Sequence, residues 1–224
     1  MPNLRRTLAG TVAAVLLGVL LVAVPSPSYA NARAEVYGPR SSPFGVSYER
    51  WLTRWMTWLQ EIRNPRNPVF NPESSRNCEV RRLVVFMGPF GTGDRVCNVP
   101  RGKVIALTPP VVSECSTAEG NGSTYRKLRR CAVKGWKDSY AHARVGIRID
   151  GERLQHPHAW TFTSIGAVVD LPKNNIWGVK GGPTKSVTRD ILFLIKPQDL
   201  GRHVIAGPVI AGQGGARWRF KVTH

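Results

Sequence analysis

Acidic residues are scarce in this chain: 14 Asp and Glu stand against 32 Lys and Arg, a formal charge of +18 over 224 residues. Such an excess excludes an acidic, solvating protein and favours anionic partners: a cell-wall polymer, an acidic glycan, anionic lipid or, with less support, nucleic acid. Cysteine is also sparse. The four present form no CxxC, and no Cys/His pair has ligand spacing, which argues against a zinc site. No G-x-S-x-G elbow surrounds any serine, so an α/β-hydrolase nucleophile is not signalled. The glycines of Gly88-Pro-Phe-Gly-Thr-Gly93 lack the Lys-Ser/Thr that completes a nucleotide loop. After Val24 no apolar run approaches a membrane span, and there is neither an internal repeat nor a long low-complexity run. No cofactor is expected.

What is there begins with a basic start, MPNLRR, an uncharged apolar core, LAGTVAAVLLGVLLVAV, and a small-residue exit, PSPSYA. These are the three parts of a secretory signal, with cleavage after Ala30 or after Ala32 both fitting. Removing Arg5 and Arg6 with that segment leaves the chain only two charges less basic. Residues 1–30 are thus expected to be a signal peptide and 31–46 a leader broken by Gly38-Pro39 and Pro43. Residues 47–224 follow as one disulfide-stabilised β-rich domain, secreted or held in the cell envelope. Thiols oxidise in that compartment. Three pairings are open, of which Cys78–Cys97 with Cys115–Cys131 is favoured because each closes a local loop, worth about 3 kcal/mol.

Ser47–Ile62, SYERWLTRWMTWLQEI, holds three of the seven tryptophans. On a helical projection Tyr48, Trp51, Leu52, Trp55, Met56, Trp58, Leu59 and Ile62 fall in one uncharged arc about 160° wide. Ser47 is the expected N-cap and Asn64-Pro65 the stop. Three buried indoles suit a core slab better than a binding platform, which places any function elsewhere. From Cys78 the period shortens. Leu83–Phe86 and Arg95–Val99 read as a hairpin with Cys78 and Cys97 near its ends, and Lys103–Leu107 as a further strand interrupted by Pro109-Pro110. Thr124–Trp136 reads as a second helix, with Tyr125, Leu128, Ala132 and Trp136 inward. Arg144–Ile149 and Arg153–Gln155 flank the turn Asp150-Gly151. Trp160–Phe162, Ala167–Leu171 and Ile191–Ile195 are strand-like, and Trp218, Phe220 and Val222 alternate with cations in the last strand. The expected fold is mainly β with helices: an antiparallel β-sandwich or jelly-roll-like body. One amphipathic Trp-rich N-terminal helix and one basic helix pack on it.

Several of these features together resemble a family of uncharacterised exported bacterial proteins. They are the Tyr48-x-x-Trp51 helix with Trp55 and Trp58, the NPES connector before Asn77-Cys78, and the VVFMGPFG segment. Cys97-Asn-Val-Pro-Arg-Gly-Lys103, of the form C-x-V-P-x-G-K, and Cys115 complete the set. The match runs over roughly 45–131, with Gly201-Arg-His203-Val-Ile205 a looser echo. The resemblance implies export, disulfides and a β-rich fold, and it supplies no catalytic residues.

The surface singled out for binding is the basic face of the second helix, where Arg126, Lys127, Arg130, Lys134 and Lys137 fall within about 100° of arc and could track a phosphate backbone. Glu114 and Glu119 are candidate paired carboxylates for an extracellular hydrolase acting on carbohydrate, if their spacing suits it. His156-Pro-His158 would set two imidazoles on one strand face without an identifiable third ligand. Asp138, Ser139 and His142 have the residue types of a triad, and Asn121-Gly122-Ser123 matches a glycosylation sequon. The leading expectation is a non-enzymatic module that binds an anionic or glycan partner.

Overall fold

The structure is a computed structural model describing residues 36–71, 77–89, 93–207 and 216–224. The expected signal peptide, both cleavage sites and the first part of the leader lie outside the described residues. No helix among the described residues is long and apolar enough to cross a membrane.

Helix α1 (Tyr48–Gln60) forms where the apolar arc predicts it. Ser47 caps it, its side chain accepting from the Arg50 N–H at 3.5 Å, and Glu49 stands in the first turn. The strands that follow are β1 (Cys78–Val80), β2 (Val84–Met87), β3 (Gly93–Pro100), β4 (Val104–Leu107) and β5 (Val112–Ser116). After helix α2 (Tyr125–Ser139), capped by Thr124, come β6 (Arg148–Ile149), β7 (Glu152–Arg153), β8 (Thr161–Thr163) and β9 (Ala167–Leu171). The chain ends with β10 (Gly182–Ile191), β11 (Phe193–Ile195), β12 (Gly201–Ala206) and β13 (Ala216–Thr223).

Three sheets result. The first has the order β1-β2-β4-β11, and Val36 bridges its edge at Ile195. It is buried on both faces, which is why β2, β4 and β11 read as unbroken apolar runs. Val84, Phe86, Val104, Ala106 and Leu194 meet the tryptophans of α1. Val85, Met87, Ile105, Leu107, Phe193 and Ile195 meet Val99, Ile205, Trp218, Phe220 and Val222 of a second sheet, ordered β3-β13-β12-β6-β7. Sheet on sheet with a helix outside is the sandwich-like body expected. A third sheet places β5 on one side of β10, with β9 and β8 on the other. Helix α2 packs there through Leu128 and Ala132 against Cys115 and Val187. Gly135 allows the close approach, since a Cβ there would lie 2.5 Å from Ser113 Oγ.

Two expectations need correction. The first concerns the hairpin of Leu83–Phe86 with Arg95–Val99, which does not form. β2 pairs β1 antiparallel and β4 in parallel, while β3 runs parallel to β13 across eight registered pairs. The C-terminal strand supplies an eight-residue partner, and a local turn could not match that ladder. The first two sheets are therefore mixed, while every pair in the third is antiparallel. Cys78–Cys97 closes at 2.09 Å, tying β1 of the first sheet to β3 of the second, and Cys115–Cys131 closes at 2.00 Å between β5 and α2. The second correction is at His156 and His158, which lie in a 3-10 turn beginning at a left-handed His156, not on a strand. The His158 ring contacts the Ala143 carbonyl at 2.8 Å. The Asp150-Gly151 hairpin is as expected, with both residues at positive φ.

Candidate functional site

Two pairs of strands cross between sheets at one corner of the molecule. β10 passes into β11 through Leu192, and β4 passes to β5 through Thr108–Val111, where Pro109-Pro110 cannot continue a ladder. The interrupted pairing leaves a cavity of about 510 Å³. One turn of α1 walls it with Trp55, Met56 and Leu59; Val112, Ile176 and the two prolines add apolar surface, and Val69 and Phe70, both exposed, stand at its mouth. The volume is in the range of small-molecule sites.

Four polar groups also line it: Arg95, Thr108, Trp177 and Asp190. On β3, Arg95 shares the inward parity of Cys97 and Val99, so its side chain enters the core and is 1% exposed. Nη1 donates to the Pro68 carbonyl at 2.6 Å and to Asn77 Oδ1 at 3.1 Å, and the guanidinium lies 5.6 Å from the Trp218 ring. Its Nε has no partner, and no described carboxylate forms an ion pair with it. Burial alone pulls its pKa down to about 10, so it stays charged at neutral pH.

Asp190 on β10 is enclosed without a cation. Burial holds its carboxyl well above the usual range, although its Oδ1 accepts from the Ile191 N–H at 2.6 Å. Thr108 Oγ1 leans toward this carboxyl without closing a hydrogen bond of ordinary geometry, and the Trp177 indole N–H is unpartnered. Three buried polar atoms without partners thus lie around one cavity, where native interiors leave few.

Two asparagines shape the loops that carry these groups. Asn67 donates to the carbonyls of Leu59 at 2.7 Å and Ile62 at 3.1 Å, closing the end of α1, and accepts from Val69 N–H at 3.0 Å. This sets Pro68 over Arg95. Gly88 permits the contact, since a Cβ there would stand 2.7 Å from Pro68 Cβ. Asn175 donates to the Pro172 and Val179 carbonyls and accepts from the Trp177 N–H, folding the turn that presents the indole.

Comparison with known protein families, with curated proteins and with solved structures finds no match.

The residues singled out in sequence lie elsewhere. Arg126, Lys127, Arg130, Lys134 and Lys137 are exposed together along α2, on a convex face, and Lys134 pairs with Asp138 at 2.5 Å. Glu114 and Glu119 do come together, beneath α1. Ser186 Oγ donates to Glu114 Oε1 at 2.8 Å and receives Gln60 Nε2 at 3.2 Å. Burial and the adjoining Glu119 carboxylate push Glu114 up to about 9. Its Oε2 is buried without a hydrogen-bond partner. Adjoining carboxyls leave no room for the sugar ring that glycosidase pairs flank at about 5–9.5 Å. Asp138 is engaged with Lys134, away from any triad geometry. His203 is a latch, with Nδ1 2.7 Å from Asp150 Oδ2 and Nε2 2.8 Å from the Asp199 carbonyl.

Arg95 was missed by sequence reasoning. The signal available was its parity: a cation two residues before an inward cysteine in a strand.

Proposed function

We propose that this chain is an exported, non-enzymatic binding protein that holds a small anionic ligand in the Arg95 cavity. The observation that carries the reading is a buried guanidinium with no carboxylate partner in an apolar cavity. An uncompensated buried charge costs several kcal/mol. A ligand anion offsets that cost at the moment of binding, whereas an ordinary core position would hold an apolar side chain. The three-part N-terminal segment and the two disulfides support export. The excess of cations over acids in the chain raises the local concentration of anions around the protein. Kinship with the exported family of the C-x-V-P-x-G-K segment belongs to the same proposal.

The probe is 8-anilino-1-naphthalenesulfonate, an apolar monoanion that fluoresces in dry sites. Native protein is expected to bind it saturably at one site, and Arg95→Met to weaken binding tenfold or more while the circular dichroism spectrum is unchanged. Ile176→Trp, which fills the cavity without touching the cation, is expected to block the dye as well. Equal binding by folded Arg95→Met and by Ile176→Trp would overturn the proposal.

A further inference from the structure

The unpartnered atoms around the cavity differ in kind, and that difference narrows the ligand. Arg95 Nε and Trp177 Nε1 are donors only, and Thr108 Oγ1 can donate or accept. A head group that is itself a donor, such as an amine, meets donors with donors. A hydroxyl offers one oxygen to two separate N–H groups. A phosphate monoester brings a charge of about −1.5 to −2 and three acceptor oxygens, and so leaves net negative charge buried against one guanidinium. A carboxylate brings one charge and two acceptor oxygens. Apart from Asp190, whose Oδ1 accepts from the Ile191 N–H, the remaining wall, from Trp55, Met56 and Leu59 to Val112 and Ile176, is apolar and leads to Phe70 at the mouth.

Building on the anion-binding reading above, we infer that the ligand is an amphiphilic monocarboxylate. Its carboxylate sits between Arg95 Nε and Trp177 Nε1, and its aliphatic body lies along the inner turn of α1 toward Phe70. Both nitrogens are closed to water, so the head group enters by a small adjustment of the half-buried Ile176–Trp177 turn. Met56, unbranched and adaptable, fits a wall that accepts chains of more than one length.

Titration calorimetry at pH 7.5 with four probes tests this: decanoate, decanol, decyl phosphate and acetate. Decanoate is expected to bind at one site, with decanol, decyl phosphate and acetate each at least tenfold weaker. Trp177→Phe, which keeps the ring and loses the N–H, is expected to reduce decanoate affinity several-fold and leave decanol unchanged. Arg95→Met is expected to bring decanoate down to the level of decanol. Decyl phosphate binding more tightly than decanoate would overturn the carboxylate assignment and leave the anion site standing. Decanol equal to decanoate in the native protein would overturn both the carboxylate and the role of Arg95. Absence of binding by all four, together with no binding of the sulfonate dye, would remove the cavity as a ligand site.

Discussion

Glu114 shows how a single buried carboxyl sets a pH dependence for the whole fold. Unfolded, it ionises near 4.5; in the fold, burial and the Glu119 carboxylate hold its proton up to about 9. Between those values the native chain carries a proton that the unfolded chain has released, so stability falls as pH rises through the window, by at most about 1.4 kcal/mol per unit. Asp190, also pushed up, acts with the same sign. Urea midpoints of the native protein are therefore expected to fall between pH 5 and pH 8. Glu114→Gln, neutral at every pH, should remove a share of that fall on the order of 2 kcal/mol. Parallel slopes for the two proteins would mean that Glu114 is ionised in the fold. The pairing of Glu114 with Glu119 was legible as two acids five residues apart. Their contact was not, because it depends on the turn at the end of β5 and on Ser186 arriving from β10.

Among the elements, α1 does two things that its sequence presents as one. Its apolar arc predicts a core helix, and Trp55 at 1% exposure meets that expectation, with Nε1 donating to the Met87 carbonyl at 2.8 Å. The same turn, with Met56 and Leu59, also walls the cavity, so function does not lie wholly elsewhere. Periodicity marks which residues face inward and says nothing of whether the inward space is full. Trp55→Ala is expected to cost about 3–5 kcal/mol through the void it opens, and with it most of the folded yield. Trp55→Phe, which fills most of the volume, should fold with a smaller loss of about 1–2 kcal/mol from the orphaned carbonyl and residual space. A Trp55→Ala protein with an unchanged urea midpoint would show that the cavity simply collapses around the missing ring. For α2 the inward face is as expected at Leu128, Ala132 and Trp136, because a helix on one side of a sheet is specified by its own spacing, whereas Tyr125, expected inward, is exposed in the first turn.

At the scale of the molecule, the Cys78–Cys97 bridge joins two sheets that share no hydrogen-bonded edge. Closing a loop of 19 residues is worth about 3 kcal/mol by chain entropy. The double variant Cys78→Ala/Cys97→Ala is therefore expected to lower the thermal midpoint by more than Cys115→Ala/Cys131→Ala. The second bridge only pins α2 to a sheet it already packs on through Leu128 and Ala132. Calorimetry of the two variants decides it, and equal midpoints would mean that the sandwich interface holds without its staple. Local information was enough for α1, α2, the Asp150-Gly151 hairpin, the alternating last strand and the two disulfide pairs. Each is written within one stretch of at most 19 residues or so, as a period, a cap, a turn dipeptide or a short loop. Tertiary structure alone decided that β3 lies parallel to β13, that β4 and β10 lead from one sheet to another at one corner, and that Arg95, Thr108, Trp177 and Asp190 line one cavity there. Those choices rest on pairing between segments remote in the chain, where the hydrogen-bonding groups are the same in every strand and only the competition for burial selects the partner.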